Sequence, residues 1–396
     1  MAPANFGAAQ RACVTMLRGV RTLSSLIDGH RVVVCAGAGG VGKTTVAAAL
    51  AIGALRRGRR VLCLTIDPAK RLLDSLGLSK MKDESGAVDP ARFRELGVPE
   101  GGSLTVSVLD TKRTFDDIVT RHAPSAEVRE RILNNRFYQY VSTSLAGTQS
   151  YMAMEKVLGV LHDPRFDLIV LDTPPTSEAL DFLDAPERLV EALDSPAVRW
   201  LVDAFEPGKK LGLGVLARGV AFLLRGVGRL TGRGFLEHMA EFVTELNDLF
   251  GGFKDRARTV SRAFRGDDFA YVVVSTPVVA ALDEARLFIE RLGTLGIRPD
   301  ALVLNRVHPK SPEVSRADVE AAAARHGLAP SLAGALLAAL AEEGSEARDD
   351  EKALAGFDAA IAAAGTRAPA ERVVLPLLAG DVHDLGELLP LSHCLV

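Results

Sequence analysis

Aromatic side chains are scarce in this chain: they make up 5% of its 396 residues, with one tryptophan and four tyrosines. Base stacking has little material to work with. No charge of one sign dominates either, since 47 basic face 50 acidic side chains for a net charge of −3. That balance speaks against a nucleic-acid-binding role for the chain as a whole. Cysteine is equally sparse, and Cys13, Cys35, Cys63 and Cys394 form no C-x-x-C pair. A disulfide scaffold, a zinc ribbon and a dithiol redox site are thereby excluded. Cys35 and Cys63 lie inside apolar runs and read as small buried hydrophobes. A reducing cytoplasm is the expected compartment. Uninterrupted apolar runs never reach the 18 residues of a membrane-spanning helix. Residues 1–27 lack Asp and Glu and carry Arg11, Arg18 and Arg21. They read as an N-terminal helical extension over 1–28 rather than a transit peptide.

Apolar residues are plentiful at 48%, and charged ones make up 24%, the balance of a globular core. Seven short β-rich runs stand out: 32–36, 61–66, 104–109, 168–172, 271–276, 301–305 and 373–377. Most are continuously apolar rather than alternating, which predicts strands buried on both faces of a parallel sheet. Helical stretches at 43–58, 112–162, 178–265, 280–296, 315–342 and 350–364 separate them. The expected fold is α/β, a doubly wound, mostly parallel sheet with an all-helical inserted subdomain. Two intervals are far longer than a crossover needs. The expected core is therefore 29–110, 165–195 and 268–396, and the helical subdomain 111–164 and 196–267.

Gly37-Ala38-Gly39-Gly40-Val41-Gly42-Lys43-Thr44 fits G-x-x-x-x-G-K-[ST], after a buried strand and before an Ala-rich helix. Such a loop wraps phosphate with its backbone N–H groups, and the helix N-terminus adds its dipole. Gly39, Gly40, Val41 and Gly42 supply the cradle. Lys43 is expected at the β- and γ-phosphates, Thr44 on Mg²⁺ and Thr45 at the α-phosphate. Asp172 ends the run LIVLD at the ligand edge of the predicted sheet, suited to holding Mg²⁺ through water. Asp67 ends VLCLTI in the same way and is the candidate for orienting an attacking water.

These three segments occur in the order P-loop, Thr65-Ile66-Asp67-Pro68-Ala69, Asp172-Thr173-Pro174-Pro175-Thr176. The set resembles the arsenical pump-driving ATPase family, which includes ATPases that target tail-anchored membrane proteins. The resemblance covers roughly 29–390. It implies a nucleotide-sandwich dimer using ATP and Mg²⁺, with Asp67 on the hydrolytic water and Asp172 on the metal. It also implies that Asn305 reads adenine and that Pro376 and Leu377 form a loop beside the base. An asparagine amide both donates and accepts, as the adenine edge requires.

The sequence departs from the family at Ala38, where relatives carry a lysine that crosses the dimer. Lys70 or Arg71 could replace that charge, or a lysine-bearing paralogue could supply it in a heterodimer. Neither the zinc clamp nor the arsenite-binding cysteine cluster of family members is present. Residues 196–265 hold 12 basic and 7 acidic residues, and Met239, Phe242, Val243, Leu246, Leu249 and Phe250 recur at helical spacing. By resemblance this region forms a groove for an apolar client helix. The segment 207–234, with eight glycines, six basic residues and no acid, reads as a lid or a membrane-surface contact. The expected function is an ATP-hydrolysing ATPase that couples nucleotide state to a hydrophobic client. Alternatives are a weakly hydrolysing regulatory subunit and a partition or cell-division positioning ATPase.

Overall fold

The computed structural model describes residues 22–67, 71–78, 85–96, 98–136, 138–139, 142, 148–175, 183–188, 190–191, 195–196, 253–310, 314–327, 329–378, 380, 382 and 384–396. The lid candidate 207–234 and the apolar repeat 239–250 fall outside the described residues. The chain divides into two compact units, Met1–Val108 with Pro164–Ser177 and Asp267–Val396, and Leu109–Asp163 with Glu178–Gly266.

In the first unit all seven apolar runs become strands: β1 Val32–Gly37, β2 Arg60–Thr65, β4 Ser103–Val108, β5 Leu168–Asp172, β6 Phe269–Ser275, β7 Ala301–Val307 and β8 Glu371–Pro376. They pair in parallel. With a short strand β3 at Ser85–Ala87, the sheet order is β3-β4-β2-β5-β1-β6-β7-β8. β1, β5 and β6 are buried along their whole length, as continuous apolar runs require. An eighth strand, β3 (Ser85–Ala87), lies antiparallel on β4. Its Ser-Gly-Ala sequence carries no hydrophobic signal, so it is invisible to periodicity.

Helices cover the sheet. α1 is Ser24–Gly29, α2 Lys43–Arg56, α3 Arg71–Ser75, α8 Val279–Thr294, α9 Arg316–Arg325, α10 Pro330–Ala363 and α11 Leu385–Leu395. α2 is Ala-rich and buried from Val46 to Leu55. Alanine gives high helix propensity and lets neighbours come close. α11 packs on it, with Val396 filling the space that a Cβ on Gly53 would occupy. The expected break between 342 and 350 does not occur. α10 runs unbroken through Gly344-Ser345 for 34 residues. One glycine costs about 1 kcal/mol, which the Ala- and Leu-rich turns before it and the long straight-chain residues after it offset.

The second unit is helical where described: α4 Thr111–His122, α5 Ala126–Asn134, α6 Thr148–Val160 and α7 Phe253–Ala263. Asp110 caps α4 by accepting from the Arg113 N–H, and Ser125 caps α5 through the Val128 N–H. Tyr138 is fully buried, edge-on to Phe115, and donates its hydroxyl proton to Asp116. Its partner Asp116 also takes the Lys112 ammonium at 2.6 Å.

Candidate active site

All of the functional candidates that the structure describes lie in the first unit, at the C-terminal ends of its parallel strands. That edge is where such sheets bind ligands. β5 sits between β2 and β1, so Asp172 is in register with Thr65 on one side and Cys35 on the other. Its Oδ2 accepts from the Thr44 hydroxyl and the Thr65 hydroxyl, each at 3.0 Å. The first hydroxyl comes from the start of α2 and the second from the end of β2. Thr65 also accepts from the Asp67 N–H at 3.2 Å. One hydroxyl thus ties the two acidic candidates together. Thr65 carries no motif of its own. A hydroxyl ending an apolar strand two residues before an aspartate is the only signal for it.

Asp172 is 1% exposed, and its Oδ1 is buried without a hydrogen-bond partner. A carboxylate oxygen left over beside a threonine hydroxyl is a hard-oxygen donor set, and it fits Mg²⁺. Among the described residues no cluster of three His, Cys, Asp or Glu side chains forms a separate metal centre. Burial pushes the Asp172 carboxyl up to about 6; the Thr44 and Thr65 hydroxyls and the Lys43 charge pull it back. The folded protein therefore binds more protons here than the unfolded chain between about pH 4 and 6. Stability from this group falls as pH rises through that window. Asp172→Asn is expected to stabilise the nucleotide- and magnesium-free protein at pH 8 by about 1–3 kcal/mol, a gain that shrinks towards zero near pH 4. Urea unfolding at the two pH values measures this. No gain at pH 8 would show that the ionised carboxylate costs the fold nothing.

The Lys43 ammonium donates to the Ala38 carbonyl at 2.8 Å, across its own loop. Burial holds it below the usual lysine range, while Asp172 and Asp67 act in the opposite direction. Ala38 itself is 4% exposed and belongs to the core cluster around α2 and β1. Cys35 and Cys63 are buried free thiols, and burial raises both. Both serve as packing residues.

Asn305 donates Nδ2–H to the Val41 carbonyl at 2.8 Å. That contact needs Gly42, which adopts φ +92° and whose absent Cβ would lie 2.3 Å from the Asn305 nitrogen. Because a carbonyl can only accept, the amide's orientation is fixed and Oδ1 is the atom left facing elsewhere. Asn305, Thr45, Pro376 and Leu377 line one cavity of about 690 Å³, joined by Arg71 and Asp74 from α3. Arg71 lies 3.7 Å from Asp67 and is mostly exposed. Lys70 falls outside the described residues. Sequence reasoning missed the contribution of α3 to this cavity. It also missed the loop after β7, where His308 binds Asp350 of α10 through both its N–H and Nδ1.

A glycine loop between a buried strand and a buried helix, a lysine folded into it, and an aspartate at the neighbouring strand end define a P-loop nucleotide-binding protein. The family model described as anion-transporting ATPase matches residues 30–328. The chain belongs to that family and is an ATP-binding ATPase. It is similar to the ATPase get3 of Pyrenophora tritici-repentis, 27% identical over 290 residues, covering 72% of this chain and 77% of the relative. It is also similar to the putative arsenical pump-driving ATPase 2 of Aquifex aeolicus, 25% identical over 289 residues, covering 72% and 82%. Among the described residues no helix is long and apolar enough to cross a membrane.

Proposed function

We propose that the chain is an ATP-hydrolysing subunit of a cytoplasmic dimer, either a homodimer or a heterodimer with a lysine-bearing paralogue, that uses Mg²⁺-ATP to gate the binding of an apolar helix. The observation that carries the reading is Asp172, buried at a strand end and bound to both Thr44 and Thr65. Gly39, Gly40, Val41 and Gly42 cradle the phosphates, and Lys43 leaves the Ala38 carbonyl for the β- and γ-oxygens. Thr45 serves the α-phosphate. Thr44 and Asp172 hold Mg²⁺, which when bound neutralises charge on the phosphate oxygens. Asp67 orients the attacking water. Asn305 Oδ1 accepts from the adenine amino group, a preference that guanine's oxygen at the same position cannot satisfy. Pro376 and Leu377 pack beside the base. Client binding is assigned to the inserted segments 111–164 and 196–267.

Ala38 favours a second reading, a weakly hydrolysing partner of a lysine-bearing paralogue. An apolar side chain at this buried position supplies no charge to the transferring phosphoryl, and such a cation is worth orders of magnitude in rate. One experiment addresses both readings. Phosphate release by the isolated chain is expected to be slow and to rise about tenfold in Ala38→Lys. Capture of a synthetic transmembrane-helix peptide is expected to differ between ATP and ADP. Capture indifferent to nucleotide sinks the client coupling. Brisk turnover that Ala38→Lys leaves unchanged sinks the regulatory-subunit reading.

A further inference from the structure

β7 changes register between Leu304 and Val307. Within that irregularity Arg306 has φ 59°, the sole left-handed non-glycine residue among the described residues. Arginine has no steric reason to be there, and unfavourable backbone of this kind persists where surrounding contacts hold it. Its consequence is geometric. In a regular strand consecutive side chains point to opposite faces. The irregularity aims two consecutive ones at the same loop: Asn305 Nδ2 donates to the Val41 carbonyl at 2.8 Å and Arg306 Nη1 to the Gly40 carbonyl at 3.1 Å.

A trans peptide is planar, so its C=O and N–H point in opposite directions. Holding the Gly40 carbonyl towards Arg306 turns the Val41 N–H the other way. Holding the Val41 carbonyl towards Asn305 does the same for the Gly42 N–H. Gly40, at φ +77°, and Gly42, at φ +92°, give the loop the freedom to be set so. These amides are two of those that a phosphate chain needs. A guanidinium on the carbonyl side also polarises the peptide and strengthens the N–H as a donor.

Resting on the nucleotide reading above, we propose that Arg306 is a positioning residue for phosphate. Through the Gly40 carbonyl it presets the loop amides that grip a nucleoside di- or triphosphate. The arginine touches the loop and organises it before any nucleotide arrives.

The test uses the full chain and its Arg306→Gly and Arg306→Lys variants. Glycine suits a positive φ, so Arg306→Gly relieves the backbone while removing the guanidinium. It is expected to unfold at or above the wild-type temperature and yet to bind ADP about tenfold more weakly. The KM for ATP should rise more than kcat falls. Arg306→Lys, which keeps the cation, should recover part of the affinity. Wild-type ADP affinity in Arg306→Gly overturns the proposal. A lowered affinity that merely accompanies a lowered unfolding temperature overturns it too, because that is the mark of a structural role. If the wild-type chain binds no ADP at all, the nucleotide reading itself fails.

Discussion

Lys43→Ala is expected to lower ATP affinity by about a hundredfold or more, the loss of a charge-assisted contact in a partly desolvated site. Lys43 is the one buried cation of the P-loop, 7% exposed, and burial already disfavours its charge. Asp172 and Asp67 oppose that effect, so two carboxylates face the ammonium. Polyphosphate brings further negative charge to the same place. Without Lys43 nothing in the loop but backbone dipoles opposes that repulsion. Among the described residues the ammonium's hydrogen bond goes to the Ala38 carbonyl across the loop, a contact that a phosphate oxygen can replace. Lys43→Met keeps the volume and separates charge from packing. Both variants should retain the fold and both should fail in titrations with a fluorescent ATP analogue. Near wild-type affinity in either would remove Lys43 from the binding role.

Much of this arrangement is legible in the sequence. Strands β1, β2 and β4 to β8 announce themselves because a strand buried on both faces must be apolar throughout. Lys43, Thr44, Asp67 and Asp172 stand out as candidates because a P-loop and strand-end carboxylates have a set spacing, and the structure gathers them at one edge of the sheet. Gly344-Ser345 misleads because a two-residue breaker signal is weaker than the long run of helix formers that carries α10 through it. Thr65 and Arg306 are hidden for a different reason. Each acts through a contact 107 or 266 residues away in the chain, which the sheet's crossovers create and no local pattern encodes. The register shift in β7 lies inside an ordinary strand sequence, so nothing marks Arg306 beforehand.

Hydrolysis should depend on Asp67 far more than binding does. Its backbone N–H is held by the Thr65 hydroxyl, and that hydroxyl also holds Asp172. The Asp67 backbone is therefore held by the same Thr65 hydroxyl that binds Asp172. The Asp67 side chain is about one-fifth exposed, with the Arg71 guanidinium 3.7 Å away. A carboxylate in this position can accept a hydrogen bond and a proton from water, as a group that orients the nucleophile must. Asp67→Asn keeps the shape, the backbone contact and an oxygen that accepts a hydrogen bond, but an amide cannot take the water's proton. General-base or water-orienting groups contribute about 10²–10⁴-fold, so phosphate release should fall by a factor in that range. Affinity should move the other way if it moves at all. Asp67 adds negative charge near Lys43 and Asp172, and removing it eases the approach of ATP. The expected pattern is unchanged or tighter ATP binding with turnover reduced at least about a hundredfold. Single-turnover phosphate release beside an equilibrium titration measures the two separately. Turnover equal to wild type in Asp67→Asn would assign the water to another group. A parallel fall in affinity and turnover would mean that Asp67 shapes the site rather than serving the chemical step.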